Sequence, residues 1–238
     1  MNLIILDTED FTGTDQAVLT GRRAEHLNNV QKTLPGDTVR VGRLNGLMGS
    51  AVVTDCTPCV VKLSNITLSE APPQALPLTL VLSLPRPKML RRIFQTASTM
   101  GVKEIILINS ARVEKSFWQT PFLQPDAIRH QLLLGLEQAK DTQLPRVELV
   151  KRFKPFVEDE LITRAKGCQN FVAHPYHARP CPTNIDTSQH CYLTIGPEGG
   201  YVPFEVEKLM EIGFQPISLG ARILRVETAL PVLLAKLF

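Results

Sequence analysis

From residue 78 onward, a short apolar run is followed each time by a segment with helical spacing, and no other feature limits the fold of the chain as much. Apolar runs at residues 78–84, 105–108, 147–150, 171–173, 192–195 and 217–219 predict strands. The segments between them carry helical spacing, as in Met89, Ile93, Ala97 and Met100, or Val206, Leu209 and Met210 ending at Gly213. Strand and helix in alternation predict a mostly parallel α/β sheet covered by helices on both faces. Such sheets bind ligands at the carboxyl ends of their strands.

Residues 1–70 follow another rhythm. Apolar positions alternate at Val39, Val41, Ala51 and Val53, and Pro35-Gly36-Asp37 and Asn45-Gly46 mark turns, so hairpins in a small sheet or β-barrel are expected, with one short helix near residues 23–31. Three prolines within residues 71–77 predict a linker, which leaves 78–238 as the larger domain. Hydrophobic residues make up 44% of the 238, yet no apolar run approaches the ~18 residues that a membrane span needs. The first residues lack the basic start of a signal peptide, so the expected location is cytoplasmic, with no membrane partner. The five cysteines include one CxxC, Cys56 to Cys59, between two β-like runs; a zinc site needs a second matching pair, so no metal is expected.

Net charge is only +3, but it is unevenly spread. Residues 85–118 hold seven Lys or Arg against two acids, Glu104 and Glu114. Lys88, Arg91 and Arg92 fall on the face of a predicted helix away from Met89, Ile93 and Ala97. In the small domain Arg22 and Arg23, with Lys32, Arg40 and Arg43, make a second basic stretch. Each stretch suits a phosphate backbone and equally a solvated face.

The densest chemistry lies between Leu193 and Ala229. One strand ends at Gly196, and Pro197-Glu198-Gly199-Gly200 turns into a helix expected to start near Pro203. Some twenty residues later Ser218-Leu219-Gly220 opens a second loop, Ala221-Arg222-Ile223-Leu224-Arg225-Val226-Glu227. Glycines let a ligand approach the backbone, and two neighbouring strand-end loops could enclose one small molecule. Taken singly, the first loop also fits an ordinary strand-to-helix turn, and Arg222, Arg225 and Glu227 a solvated, salt-bridged loop.

Taken together and in order, these loops resemble the ribosomal RNA uridine-N3 methyltransferases, the RsmE-like branch of the SPOUT superfamily. The family pattern IGPEGG with a following glutamate is matched by residues 195–200 and Glu205, and the pattern LGxRILRxETA by Leu219, Gly220, Arg222, Ile223, Leu224, Arg225, Glu227, Thr228 and Ala229. The resemblance implies a SPOUT-type parallel sheet with a C-terminal trefoil knot, a PUA-like N-terminal β domain, and a homodimer acting on 16S ribosomal RNA or the small ribosomal subunit. It implies S-adenosylmethionine (S-adenosyl-L-methionine) as cofactor, lined by Leu193, Ile195, Gly196, Glu198, Gly200, Leu219, Gly220 and Leu224. His174 and Pro175 match a family His-Pro at a third strand end.

The implied reaction is methyl transfer to N3 of a uridine. That nitrogen carries a proton, so a base has to remove it or cationic donors have to stabilise the uracil anion. Arg225 and Arg222 are the candidates for the anion, and Glu198 or Glu227 for the proton or for fixing an arginine. Lys88, Arg91, Arg92, Arg22 and Arg23 are the candidate RNA contacts. A second expectation is an RNA- or ribosome-binding protein of the same fold with altered target or weak catalysis.

Overall fold

The computed structural model describes all residues from Met1 to Phe238. They form two compact units: Met1–Gln74 with Leu133–Leu144, and Ala75–Leu132 with Pro145–Phe238.

The first unit is a nearly closed five-stranded sheet. Its strands are β1 (Ile4–Leu6), β2 (Ala17–Thr20), β3 (Thr38–Arg43), β4 (Met48–Thr57) and β5 (Val60–Glu70), in the order β1-β3-β4-β5-β2. β1 runs parallel to β3 and the other pairs are antiparallel. After β2 comes α1 (Gly21–His26), which runs on into a wider π-type turn, Leu27–Gln31. Alternation along a strand sends successive side chains to opposite faces, and β1 uses both. Ile4 and Leu6 join Leu19, Leu27, Val41 and Val61 in the main core. Leu3 and Ile5 instead meet Met48, Leu136, Leu133 and Leu144.

That second contact explains a difference from the sequence boundary. Residues 133–144, expected in the larger domain, pack with the first unit, because their leucines cover the outer face of β1. A boundary drawn at a proline-rich linker is blind to a later segment that returns.

In the second unit the strands are β6 (Leu78–Ser83), β7 (Glu104–Ile108), β8 (Arg146–Val150), β9 (Gln169–Ala173), β10 (Arg179–Pro180), β11 (Cys191–Ile195) and β12 (Gln215–Ser218). All pair in parallel, in the order β10-β12-β9-β11-β6-β7-β8. The helices are α2 (Pro87–Thr99), α3 (Pro125–Ala139), whose residues from Leu133 on belong to the first unit, α4 (Phe153–Pro155) and α5 (Ile162–Arg164), these two joined by a π-type turn, then α6 (Pro203–Glu211) and α7 (Val226–Leu237). Each expected strand is present; β12 lies two residues earlier at its start than the apolar run suggested, and the two-residue edge strand β10 had no apolar signal.

The central strands β6 and β11 are buried along their whole length, as a parallel sheet covered on both faces requires. Val81, Ile106, Ile108, Val172 and Tyr192 pack under Phe153, Phe156, Leu161, Tyr201 and Leu209. The alternate residues Leu80, Leu82, Ile105 and Leu107 are equally buried. Elsewhere in the unit α2 packs against α7. At about 1.5–3 kcal/mol for each fully buried leucine-sized side chain, this sheet is the main store of stability.

Chain order and space diverge in one place that matters. β6, β7 and β8 step outward; β9 then returns past β6, leaving a gap that β11 fills, and β12 adds beyond β9. The direction of winding reverses there, so the carboxyl ends of β9, β11 and β12 open onto a shared crevice.

Candidate active site

A cavity of about 380 Å³ occupies that crevice, a volume suited to a cofactor-sized molecule. Three strand-end loops and one helix supply most of its lining. After β9 come Ala173, His174, Pro175 and Tyr176; after β11, Ile195 to Tyr201; after β12, Ser218, Leu219, Gly220, Arg222, Ile223 and Leu224; and α7 adds Val226, Ala229 and Leu233.

The loop after β11 is shaped by local hydrogen bonding and by close packing. Gly200 N–H donates to the Pro197 carbonyl at 2.7 Å, closing a turn, and Gly200 takes a left-handed φ of 71°. A Cβ on Gly196 would lie 2.9 Å from the Tyr201 backbone nitrogen, so only glycine lets the chain fold back this tightly. The Tyr201 hydroxyl is buried, 2.6 Å from Thr194 Oγ1, and donates to the Ile195 carbonyl at 3.3 Å. Burial pushes this phenol up to about 12, so it stays protonated and ties the loop to β11.

The other two loops are joined to each other. His174 N–H donates to the Ile217 carbonyl at 2.9 Å, and the Gly220 N–H to Ser218 Oγ at 3.1 Å. Gly220 takes φ 113°, a left-handed value open to glycine alone without strain. His174 Nδ1 is buried with no hydrogen-bond partner, an exception that a polar ligand atom would remove. Burial, reinforced by the nearby His177, moves His174 below the ordinary histidine range and keeps the ring neutral. Tyr176, 58% exposed, meets the His174 ring edge-on at 5.9 Å.

Of the residues expected at a cofactor, Ile195, Gly196, Glu198, Gly200, Leu219, Gly220, Leu224 and His174 line the cavity. Leu193 does not: it is fully buried in mid-strand, two residues before the strand end, and acts as core. Arg222 lines the cavity, whereas Arg225 and Glu227 do not. Arg225 occupies the N-cap position of α7 and Glu227 its first turn, so the start of the helix carries both off the cavity wall. Glu198 Oε1 accepts from the Arg86 backbone N–H at 2.9 Å, where α2 begins, rather than standing free as a base.

The expected RNA contacts separate in the same way. Lys88, Arg91 and Arg92 are exposed on α2, with Arg91 5.4 Å from the Phe122 ring centre. Arg23 is instead gripped by both oxygens of Asp10, at 2.5 and 2.6 Å, and donates to the Ile5 carbonyl. Arg22 pairs with Glu137 at 2.7 Å. Both arginines are thus paired with acids of the first unit itself.

Arg112 and Tyr176 line the cavity unforeseen. Arg112 donates to the Gly199 carbonyl. Its place just after a parallel strand was the available signal, masked by its membership of a basic stretch. No cluster of three or more His, Cys, Asp or Glu side chains is placed to hold a metal ion, and all five cysteines are free.

Comparison with known proteins agrees with this geometry. Residues 72–237 match the family model described as RNA methyltransferase domain. The ribosomal RNA small subunit methyltransferase E of Treponema pallidum is 27% identical over 96% of this chain and 87% of its own length. That of Mesomycoplasma hyopneumoniae is 30% identical over 66% of this chain and 67% of its own. The crystal structure of a ribosomal RNA small subunit methyltransferase E from Neisseria gonorrhoeae bound to S-adenosyl methionine superposes with a TM-score of 0.78 at 20% identity, covering 99% of this chain and 95% of that one. With 166 of its residues matched by the family model and relatives aligned along most of its length, the chain belongs to the RNA methyltransferase family that includes ribosomal RNA small subunit methyltransferase E.

Proposed function

We propose that the protein transfers the methyl group of S-adenosylmethionine to N3 of a uridine in 16S ribosomal RNA. The observation that carries this reading is the cavity closed by the loops after β9, β11 and β12, in a chain of this family. The donor set fits the cofactor. Backbone groups around Gly196 to Gly200 and Leu219 to Leu224 surround apolar walls from Ile195, Ile217 and Leu233, and the orphaned His174 Nδ1 offers a polar contact. A neutral imidazole is also the form that tolerates a neighbouring sulfonium cation.

When bound, S-adenosylmethionine supplies a methyl group already activated by its sulfonium, so the protein's task is alignment and handling of the N3 proton. Arg222, exposed on the cavity rim, is the group placed to stabilise the uracil anion that forms as the proton leaves. Lys88, Arg91 and Arg92 on α2 receive the phosphate backbone. The first unit serves as a PUA-like RNA-binding β domain, and the late insertion of β11 between β6 and β9 is the strand order a trefoil knot would use. Exposed apolar residues at the end of the chain, Ile223 at 70% and Val232 at 38%, are the surface for a homodimer. Action on ribosomal RNA would place the protein in the cytoplasm; no helix is long and apolar enough to cross a membrane.

The test is mass spectrometry of 16S ribosomal RNA from cells lacking the protein, followed by methylation of their small subunits in vitro. Loss of one N3-methyluridine, restored by the purified protein and S-adenosylmethionine, is the expected result. An unchanged set of methyluridines would overturn the substrate. Tight RNA binding without turnover would favour a binding protein of the same fold.

A further inference from the structure

We infer that Glu198 and Arg112 are positioning residues that brace the Gly196–Gly200 loop at the cavity edge, and that Glu198 does so by capping the basic helix α2. The inference rests on the cofactor reading above and deepens it.

Helix α2 starts without a cap of its own. Arg86 stands at its N-cap position with a side chain that has no acceptor, and makes no side-chain capping bond. Pro87 follows at the first helical position. The acceptor comes instead from 112 residues away: Glu198 Oε1 takes the Arg86 N–H at 2.9 Å. A carboxylate at the start of a 13-residue helix also meets the positive end of its dipole. The bond therefore joins the end of β6 to the end of β11, strands that are neighbours in the sheet.

The loop after β7, the next strand along, holds the following residue. Arg112 donates to the Gly199 carbonyl, and its aliphatic stem lies over Gly199, where a Cβ would come within 3.1 Å of Arg112 Cδ. Arg112 is itself anchored through its neighbour. The buried Glu205 carboxylate accepts from Ala111 N–H at 2.7 Å and from Val202 N–H at 3.0 Å, tying the loop after β7 to the start of α6. Consecutive residues Glu198 and Gly199 are thus held by the loops that follow β6 and β7, while the loops after β9 and β12 supply other parts of the cavity wall. Bracing of this kind fixes the backbone groups before a ligand arrives, which lowers the ordering cost of binding. Because Lys88, Arg91 and Arg92 sit on the helix so capped, phosphate held there and cofactor held in the loop share one mechanical support.

Replacing Glu198 by Gln and by Ala separates this role from proton abstraction. Gln keeps an oxygen that can accept from Arg86 but cannot take a proton; Ala keeps neither function. For purified full-length protein without cofactor, hydrogen exchange should show the Arg86 amide protected in wild type and E198Q and unprotected in E198A. Calorimetry should show S-adenosylmethionine bound by E198Q nearly as well as by wild type, and about tenfold or more weaker by E198A and R112A, the loss expected for a hydrogen bond with a charged partner. In methylation of small subunits, E198Q should lose far less turnover than E198A and keep the shape of the wild-type pH profile. Loss of turnover in E198Q as complete as in E198A, with cofactor affinity intact, would overturn the inference and make Glu198 the base. So would unchanged exchange and affinity in E198A and R112A. Failure of wild type to bind S-adenosylmethionine would sink the cofactor reading alone, since the exchange experiment tests the brace without it.

Discussion

Arg22 Nη2 lies 2.7 Å from Oε1 of Glu137, whose side chain is only 3% exposed. The pair fastens the segment Leu133–Leu144 to α1 of the first unit, in addition to the leucines that cover β1. Truncation of Glu137 to Ala removes a buried acceptor from a half-exposed arginine, so the loss should be about 1–3 kcal/mol, toward the lower end because water can reach Arg22. Urea unfolding followed by tryptophan-independent far-ultraviolet dichroism measures it. A loss below about 0.5 kcal/mol, the range of ordinary surface substitutions, would show that the leucines alone hold the segment.

Leu193 separates core from site. It is fully buried in the middle of β11, and Leu193→Ala should destabilise by about 2–5 kcal/mol, as buried leucine truncations do. Below the melting temperature of the variant, its affinity for S-adenosylmethionine should stay close to that of wild type. A specific loss of affinity at unchanged stability would return Leu193 to the cofactor wall.

Two glycines in one loop should respond differently to the same substitution. In Gly196→Ala the new methyl meets the Tyr201 backbone nitrogen at 2.9 Å, and backbone has little room to give. In Gly199→Ala it meets Arg112 Cδ at 3.1 Å, part of a flexible side chain. Calorimetric affinity for S-adenosylmethionine should therefore drop by more than about tenfold for Gly196→Ala and by appreciably less for Gly199→Ala, since overpacking against a rigid neighbour costs about 1–3 kcal/mol. The reverse order would mean that the loop is set by Arg112 more than by the turn at Tyr201.

Much of this was legible in the residue order. Periodicity located the strands of the parallel sheet, and the glycines at 196, 200 and 220 located the loops that form the cavity, because both are local signals. Three things were not local. Arg23 looked like a phosphate ligand until Asp10 occupied it, and Arg22 until Glu137 did; ion pairing is a property of the folded surface. Glu198 reads in sequence as a proton acceptor or a partner for an arginine side chain, whereas its partner is a backbone N–H 112 residues earlier, which no side-chain motif records. Arg225 looked equivalent to Arg222, but three residues are enough to carry it from a loop to the N-cap of a helix.

The cysteines should divide by environment. Burial pushes the Cys191 thiol up to about 12 and raises Cys181 and Cys168 as well, whereas Cys59 is exposed in the turn between β4 and β5. Since the thiolate is the reactive form, iodoacetamide at pH 8 should label Cys59 first and Cys191 only on unfolding. Peptide mass spectrometry after timed labelling reads the order, and early labelling of Cys191 would mean that β11 opens in the native state.

His174 makes stability and cofactor binding depend on pH in the same direction. Burial, then the proximity of His177, lowers its proton affinity in the native state below the unfolded value of 6.5. Between those two values the unfolded chain binds more protons than the folded one, so unfolding becomes easier as pH falls. Above about 6.5 the ring is neutral in both states and this contribution is level. His26, lowered chiefly by burial, adds a slope of the same sign. Urea unfolding should therefore be flat in this respect from pH 8 to about 6.5 and weaken below it, and His174→Asn should flatten part of that decline. S-adenosylmethionine affinity should fall over the same interval, because a protonated ring on the cavity wall would face a like-charged sulfonium. If the His174→Asn variant keeps the full wild-type pH dependence of cofactor affinity, the ring does not face the bound sulfonium, and its orphaned Nδ1 serves some other contact in the cavity.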